Sequence, residues 1–288
     1  MFIAIEGPPG SGTDSILKYL LDLNFTKVTA SDTLLDFVTS NWRQNFVIDN
    51  AHELPSLNTF MKRPFFMLIT VDAKISIKYK RYGGKFEKFI ELTDSYEYFD
   101  LQHISHLHII NNSTSDSLKG QLDALEITNP HRLRPDWPDY FMKMADLAAH
   151  RSNCMKRRVG CVIVTHDNRV IATGYNGTPR NFTNCNEGGC ARCNNPSTSN
   201  SLSTCLCLHA EENALLEAGR ARIESGSILY CNTCPCLTCS IKIVQSGIKK
   251  VVYSQSYSMD DESKRVLKEA DVLLEQWTPL QSEHIVLN

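Results

Sequence analysis

The chain has 288 residues, of which 42% are hydrophobic and 22% are charged, and its formal net charge is −2. This length predicts about two domains, each able to bury its own core. A charge so near zero counts against a broad nucleic-acid-binding surface. No apolar stretch approaches the roughly 20 residues that a membrane-spanning helix needs. Because the chain opens directly into a strand pattern without a charged leader, the sequence predicts a cytoplasmic protein, with the nucleus not excluded.

The opening stretch FIAIEGPPGSGTDSILKYL (2–20) combines an apolar strand, a glycine-rich turn and a helical pattern. This order is typical of a phosphate-binding loop, in which backbone N–H groups cradle phosphates. Gly7 and Gly12 occupy the glycine positions of the G-x-x-x-x-G-K-[ST] frame, but Thr13 stands where the frame has lysine. Without that cation we expect weak or absent triphosphate binding and no phosphoryl transfer.

Further strand patterns lie at 45–50 and 65–72, and a strand followed by a helix is predicted over 105–125. Together with the opening FIAIEG, this half resembles thymidylate and related nucleotide kinases. The resemblance implies a degenerate P-loop kinase-like α/β domain over residues 1–130. An unrelated α/β domain with a glycine-rich turn is the alternative. The proline-rich stretch at 128–139 predicts a linker or a domain edge, and a second domain is expected over 131–288.

The second half predicts strands alternating with helices, which is typical of a mixed sheet covered by helices on both faces. GCVIVTHDNRVIATGYN (160–176) has the pattern of a hairpin with its turn at Asp167–Asn168. The elements expected after it are helix 209–220, strand 228–231, helix 235–246, strand 249–254, helix 260–269 and strand 271–277.

All eleven cysteines lie between Cys154 and Cys239. An odd, clustered set in a chain without a secretion signal indicates metal thiolates rather than disulfides.

Two stretches of this half, CLHAEENALLEAG (207–219) and CNTCPCLTCSIKIVQSG (231–247), predict a catalytic metal site. His209 opens the first predicted helix, and Cys236 and Cys239 share one face at the start of the second. One imidazole and two thiolates make three ligands for zinc and leave a fourth position for water, as in catalytic zinc sites. Glu211, two residues after the histidine, is expected to carry protons at that position without being a ligand.

The order H-x-E…P-C-x-x-C matches the signature of zinc-dependent nucleobase deaminases. Residues 136–277 resemble a deoxycytidylate deaminase over nearly their whole length, and a kinase-like first half resembles the fungal form of that family. The resemblance implies a cytidine-deaminase-like, three-layer α/β/α domain with a mixed sheet. The segments that carry it are 139–164, 169–194, 205–219, 229–257 and 266–277.

The resemblance also implies a reaction and its regulation. The substrate would be dCMP, hydrolysed to dUMP and ammonia to supply thymidylate synthesis. dCTP would activate the enzyme, with Mg²⁺ accompanying the effector nucleotide, dTTP would inhibit it, and the assembly would be a homohexamer. No nucleic acid and no membrane are expected as partners.

The resemblance assigns substrate roles to two further residues, and basic residues are candidates for a third role. Asn176 would read the sugar hydroxyl, with a plain turn at the strand end as the alternative. Tyr257 would line the substrate pocket, unless it is an ordinary core tyrosine. Arg180 and the basic run at 156–158 are candidates for the 5′-phosphate, although a solvated helix end explains the run equally well.

Five of the remaining cysteines surround an insertion rich in Asn, Ser and Thr. Two close pairs flanking an exposed loop suit a closed, four-ligand structural zinc. Some family members carry such a second zinc, with a ligand from the segment that here holds Cys154. Six candidates then compete for four places: Cys154, Cys185, Cys190, Cys193, Cys205 and Cys207.

Two other functions are compatible with the metal motif. The first is a polynucleotide deaminase acting on tRNA or single-stranded DNA, which would need a basic, aromatic-lined channel for flanking nucleotides. The second is a non-enzymatic, zinc-stabilised interaction module, in which Glu211 would be dispensable.

Overall fold

The structure is a computed structural model that describes residues 1–94, 98–113, 115–195, 205–256, 261–279 and 284–287. The chain forms two compact units, and the second spans Pro135–Pro279. The first unit contains Met1–Arg134 and also the last described strand, His284–Leu287. The expectation that everything after residue 130 belongs to the second domain was therefore wrong at its C-terminal end. In the described part of the chain, no helix is both long and apolar enough to cross a membrane.

In the described residues of the first unit, six strands form one parallel sheet in the order β2-β3-β1-β4-β5-β11. The central strands are buried on both faces, so they are nearly continuous apolar runs. The strands are β1 (Phe2–Glu6), β2 (Thr26–Lys27), β3 (Phe46–Asp49), β4 (Phe66–Asp72), β5 (Leu107–Asn111) and β11 (His284–Leu287).

Helices cover both faces of this sheet. Along β1, Ile3 and Ile5 face one apolar core, whereas Phe2 and Ala4 face the other, because successive side chains of a strand point to opposite sides. The α/β class expected for this half is thus confirmed. The helices are α1 (Thr13–Asp22), α2 (Leu34–Ser40), α3 (Leu57–Met61), α4 (Ile75–Tyr82), α5 (Phe86–Asp94), α6 (Tyr98–Ile104) and α7 (Ser115–Ala124).

The sheet of the second unit is mixed, with the order β10-β9-β8-β6-β7 in the described residues. Strand β6 is antiparallel to both neighbours, and the remaining pairs are parallel. The predicted hairpin is confirmed, with Asn168 at a φ of 65° in its turn. The strands are β6 (Gly160–Val164), β7 (Val170–Tyr175), β8 (Ile228–Thr233), β9 (Lys250–Gln255) and β10 (Leu273–Gln276).

Helices also lie on both faces of the second sheet, which confirms the expected three-layer α/β/α fold. Cys161 and Ile163 of β6 face the core shared with α10, α11 and α12, and Val162 and Val164 face the core shared with α8. The helices are α8 (Trp137–Ala149), α9 (Ala191–Asn194), α10 (Ala210–Ala218), α11 (Leu237–Ser246) and α12 (Asp261–Glu269).

The stretch expected to be a linker or domain edge, 128–139, contains the boundary between the two units after Arg134, and α8 already begins within it at Trp137. The Asp136 carboxylate accepts a hydrogen bond of 2.9 Å from the Asp139 N–H and so caps the helix. Pro138 lies in the first turn, where a missing N–H removes no intrahelical bond. A proline that resembled a loop residue is therefore part of a helix start.

Helix α10 approaches β7 so closely that only glycine fits at Gly174. A Cβ there would lie 2.2 Å from the Ala210 carbonyl oxygen and 2.4 Å from the Ala214 nitrogen. Since β7 is paired with β6 and α10 carries His209 and Glu211 at its start, this close approach fixes where those two residues lie.

We therefore expect Gly174→Ala to displace α10 and to lower the free energy of unfolding by about 1–3 kcal/mol, a typical cost of overpacking. Gly120→Ala is the matched control, because a Cβ at Gly120 in α7 meets nothing within 4 Å. Denaturant titration compares the two variants. Equal stability of the two would contradict the constraint at Gly174.

Candidate active site

The three predicted ligands lie at the N-terminal ends of two neighbouring helices. His209 is the N-cap residue of α10, Cys236 is the N-cap residue of α11, and Cys239 follows in the first turn of α11. Strand β8 ends at Thr233, three residues before Cys236. Ala214 and Ile243 pack the two helices into the same core, so the two helix starts meet beside the carboxyl end of β8.

The distances between the three ligand atoms fit a tetrahedral zinc. His209 Nδ1 lies 3.4 Å from Cys236 Sγ and 3.3 Å from Cys239 Sγ. Standard zinc bond lengths place a nitrogen and a sulfur ligand about 3.6 Å apart. The geometry also identifies Nδ1 as the imidazole atom that faces the thiols, which the sequence left open. Among the described residues, this group contains three potential ligand atoms, which leaves a fourth position for a small molecule.

The three ligands polarise one another. Hydrogen bonds from Cys239 and then from His209 lower the pKa of Cys236 to about 3, and the bond to Cys236 raises the pKa of His209 to about 9. The Cys236 thiolate and burial raise the pKa of Cys239 far above its usual value. Because metals bind deprotonated ligands, the site must release protons when a metal enters.

Glu211 is buried beside this group and is only 3% exposed. Burial raises the pKa of its carboxyl to about 7, although its own backbone N–H and nearby His209 favour the charged form. A carboxyl with a pKa near neutrality can both accept and donate a proton at physiological pH, which is the property that general acid–base catalysis requires.

Glu212 has a positioning role that the sequence analysis did not identify. Its Oε2 accepts a hydrogen bond of 2.7 Å from the His209 backbone N–H, and its Oε1 forms an ion pair with Lys242 of α11. One carboxylate therefore caps α10 and joins α10 to α11. The spacing of a glutamate three residues after the N-cap is a capping-box signal that was available in the sequence.

Asn176 is buried and uses most of its amide within the fold. Its Oδ1 accepts bonds from Ser152 Oγ and from the Val159 N–H, at 2.6 and 2.8 Å. Its Nδ2 donates to the Arg157 carbonyl oxygen at 2.9 Å. Any contact with a sugar hydroxyl must therefore use the remaining amide hydrogen. Arg180 is exposed on the following loop, and Tyr257 lies outside the described residues.

The six remaining metal candidates come together in one place. Cys185, Cys190, Cys193 and Cys207 are buried, and Cys154 and Cys205 pack against them. All six carry free thiols. This cysteine cluster is close in sequence to the candidate catalytic ligands, because Cys207 lies two residues before His209.

The glycine-rich loop of the first unit connects β1 to α1, with Gly12 as the N-cap of α1 and Thr13 as its first residue. The cation next to this loop is Arg81, which donates to the carbonyl oxygens of Ser11, Asn111 and Ser113 at 2.9 to 3.1 Å. These donors hold the loop to the end of β5. Arg81 therefore acts here as a brace of the loop.

The site and the fold define the class of zinc-dependent nucleobase deaminases. A family model described as the cytidine and deoxycytidylate deaminase zinc-binding region matches residues 135–255. A deoxycytidylate deaminase of Schizosaccharomyces pombe is 50% identical over 96% of this chain and 97% of its own length. One of Saccharomyces cerevisiae is 45% identical over 100% of both chains.

The chain belongs to the deoxycytidylate deaminase family, as the two full-length relatives show. A solved dCMP deaminase of the cyanophage S-TIM5, in complex with dCMP and dUMP, is 36% identical. It covers 50% of this chain and 98% of its own, with a TM-score of 0.42.

We expect Glu212→Ala to cost about 1 kcal/mol of unfolding free energy, the usual value of a lost helix cap. Glu217→Ala is the matched control, because Glu217 lies exposed on the same helix. Denaturant titration of the two variants distinguishes a cap from a general effect of removing a carboxylate. Equal loss in both would remove the positioning role assigned to Glu212.

Proposed function

We propose that this chain hydrolyses dCMP to dUMP and ammonia in a zinc-dependent reaction. The observation that carries this conclusion is the meeting of His209, Cys236 and Cys239 beside the buried carboxyl of Glu211. The identity to deoxycytidylate deaminases over the full chain supports dCMP as the substrate.

His209, Cys236 and Cys239 would hold the metal. A zinc with three protein ligands acts as a Lewis acid and lowers the pKa of a bound water to about 7. Glu211 accepts one proton from the attacking water and delivers it to N3 of the cytosine while the water oxygen forms a new bond to C4. It then accepts the second proton from this oxygen and delivers it to the amine, the C4–N4 bond breaks, and ammonia leaves. The water oxygen remains as the C4 carbonyl of dUMP. Glu212 and Lys242 keep the two helix starts together during these steps.

The chain's charge favours a free nucleotide over a polynucleotide substrate. A formal net charge of −2 gives no general attraction to a phosphate backbone. A non-enzymatic zinc module is disfavoured by Glu211, because burying a carboxyl without a function costs stability.

Asn176, Arg180 and Tyr257 remain predictions for binding the nucleotide. Arg180 is exposed and is the candidate for the 5′-phosphate. The Arg157 guanidinium donates a hydrogen bond of 3.1 Å to Gln255 Oε1 at the end of β9. This contact supports Arg157 as a second basic residue for binding the nucleotide, since Gln255 precedes Tyr257 by two residues. Arg180→Gln is expected to raise KM for dCMP more than KM for deoxycytidine.

We also propose regulation by dCTP and dTTP, with Mg²⁺ accompanying the effector, and assembly into a homohexamer. Family resemblance supports both proposals. Exposed apolar side chains on three helices of the second unit support subunit contacts: Leu147, Leu216 and Ile241 are 68%, 71% and 52% exposed. Light scattering with and without each nucleotide tests the assembly, and calorimetry tests binding.

A cytoplasmic location also remains a prediction, which a fluorescent fusion would check.

The first unit is proposed to be a degenerate kinase-like domain that does not transfer phosphate. Its parallel sheet, its glycine-rich loop after β1 and the absence of the frame's lysine support this proposal. Calorimetry with ATP and Mg²⁺ is expected to give little or no heat.

A second, structural zinc is proposed at the cysteine cluster. Sulfur atoms within 4.8 Å of one another support such a site, and four thiolates are the ligand set of closed zinc sites.

Glu211→Gln is expected to lower kcat for dCMP by about 10²- to 10⁴-fold, since the amide cannot carry protons. Zinc content should be retained, because Glu211 is not among the three ligand atoms. Thermal stability should not fall, because a buried amide avoids the desolvation cost of a buried carboxylate. Glu217→Gln, on the exposed face of the same helix, is the control and should keep full activity.

The assay compares dCMP with dCTP, deoxycytidine and a cytosine-containing oligonucleotide. Turnover of dCMP that is lost in Glu211→Gln supports the proposal. Activity confined to the oligonucleotide would identify a polynucleotide deaminase instead, and turnover that survives in Glu211→Gln would overturn the proton-carrier role.

A further inference from the structure

The six clustered cysteines form two complete sets of four metal ligands that share two members. One set is Cys154, Cys185, Cys193 and Cys207, and the other is Cys190, Cys193, Cys205 and Cys207. In each set all four sulfur atoms lie within 4.8 Å of one another. Cys193 and Cys207 belong to both sets.

The measured sulfur–sulfur distances match those around tetrahedral metal. Cys193 Sγ lies 3.9 Å from Cys154, 3.6 Å from Cys205 and 3.9 Å from Cys207, and Cys190 lies 3.8 Å from Cys205. Zinc–sulfur bonds of 2.3 Å in a tetrahedron place sulfurs about 3.8 Å apart. A disulfide would need about 2.05 Å. The spacing is therefore that of thiolates around a common ion.

Hydrophobic packing does not explain this cluster. Among the described residues, its buried members and the apolar side chains packed on them are all cysteines. The local elements are too short to be stable alone, since α9 has four residues and the turn at Cys185–Glu187 has three. Small, loop-rich segments of this kind commonly depend on a bound metal.

Backbone and side-chain N–H groups point at sulfurs of both sets. The Met155 N–H and Asn194 Nδ2 approach Cys185 Sγ at 3.4 and 3.9 Å, and the Leu206 amide bonds to Cys190. Hydrogen bonds of this type stabilise the excess negative charge of metal thiolates. Each of the two sets therefore has an N–H donor that stabilises a thiolate.

We propose that this cluster holds two divalent ions, bridged by the thiolates of Cys193 and Cys207. Cys154 and Cys185 complete the four ligands of one ion, and Cys190 and Cys205 complete those of the other. Zinc is the metal class that four sulfurs in a tetrahedron select. This proposal deepens the structural zinc site proposed above, and its test does not rely on the deaminase reaction.

The bridged cluster would act as a positioning device for the catalytic ligands. Cys207 and His209 flank Leu208, which pairs with Gly177 through hydrogen bonds of 2.9 and 3.2 Å. Cys154 lies next to Ser152 and Asn153, and Ser152 donates to Asn176. The two ions would thus fix both segments that approach the active site from this side.

Metal analysis of the reduced, zinc-loaded full chain tests the proposal, with three zinc ions per chain as the expected result. The double variant Cys190→Ser/Cys205→Ser and its mirror, Cys154→Ser/Cys185→Ser, should each hold two. His209→Ala should also hold two, through loss of the catalytic ion. A single cluster ion would instead give two zinc ions in the native chain, with one double variant unchanged and the other reduced to one.

A second measurement needs no variant and stays decisive if a double variant fails to fold. In the native chain loaded with ¹¹³Cd, bridging thiolates should produce spin coupling between two cadmium signals. A single sulfur-ligated cluster signal without coupling would overturn the proposal. A native chain that holds two zinc ions and still turns over dCMP would contradict the bridged pair of ions but not the deaminase function. The two proposals can therefore fail separately.

Discussion

The active site depends on the meeting of two helix N-termini. His209 and Cys236 are the N-cap residues of α10 and α11, and neither helix alone supplies all three candidate ligands. The partial positive charge at a helix start stabilises thiolates, so the ends that carry Cys236 and Cys239 favour the ligand form. Two contacts hold this arrangement: the close approach of α10 to β7 at Gly174, and the Glu212–Lys242 ion pair between the helices.

Burial of Glu211 is the second constraint. A carboxyl that is 3% exposed weakens the fold, yet the same burial brings its pKa to about 7. Burial of the Glu211 carboxyl therefore lowers the stability of the fold and produces a group that can exchange protons at neutral pH. The neighbouring Glu212 has the opposite environment. Hydrogen bonds from the His209 N–H and from Lys242 outweigh partial burial and lower its pKa, so it stays charged and structural.

Local patterns in the sequence were sufficient to predict the second sheet and the three side chains, His209, Cys236 and Cys239, that the structure brings together. Alternation along β6 and helical periodicity after His209 depend on near neighbours, as do the paired spacings H-x-E and C-x-x-C. The return of His284–Leu287 to the first sheet could not be predicted, because strand pairing over such a separation leaves no local signal. Contacts between distant segments also decide which imidazole nitrogen of His209 faces the thiols and which bonds Asn176 makes within the fold. They likewise decide the sharing of Cys193 and Cys207 between two sets.

The central claim is that three side chains hold zinc and leave one position open. A crystal structure of the zinc-loaded chain, with anomalous scattering at the zinc edge, measures this most directly. We expect a zinc peak about 2.0–2.3 Å from His209 Nδ1 and the sulfurs of Cys236 and Cys239, with a small molecule in the fourth position. A fourth protein ligand there, or coordination through His209 Nε2, would contradict it.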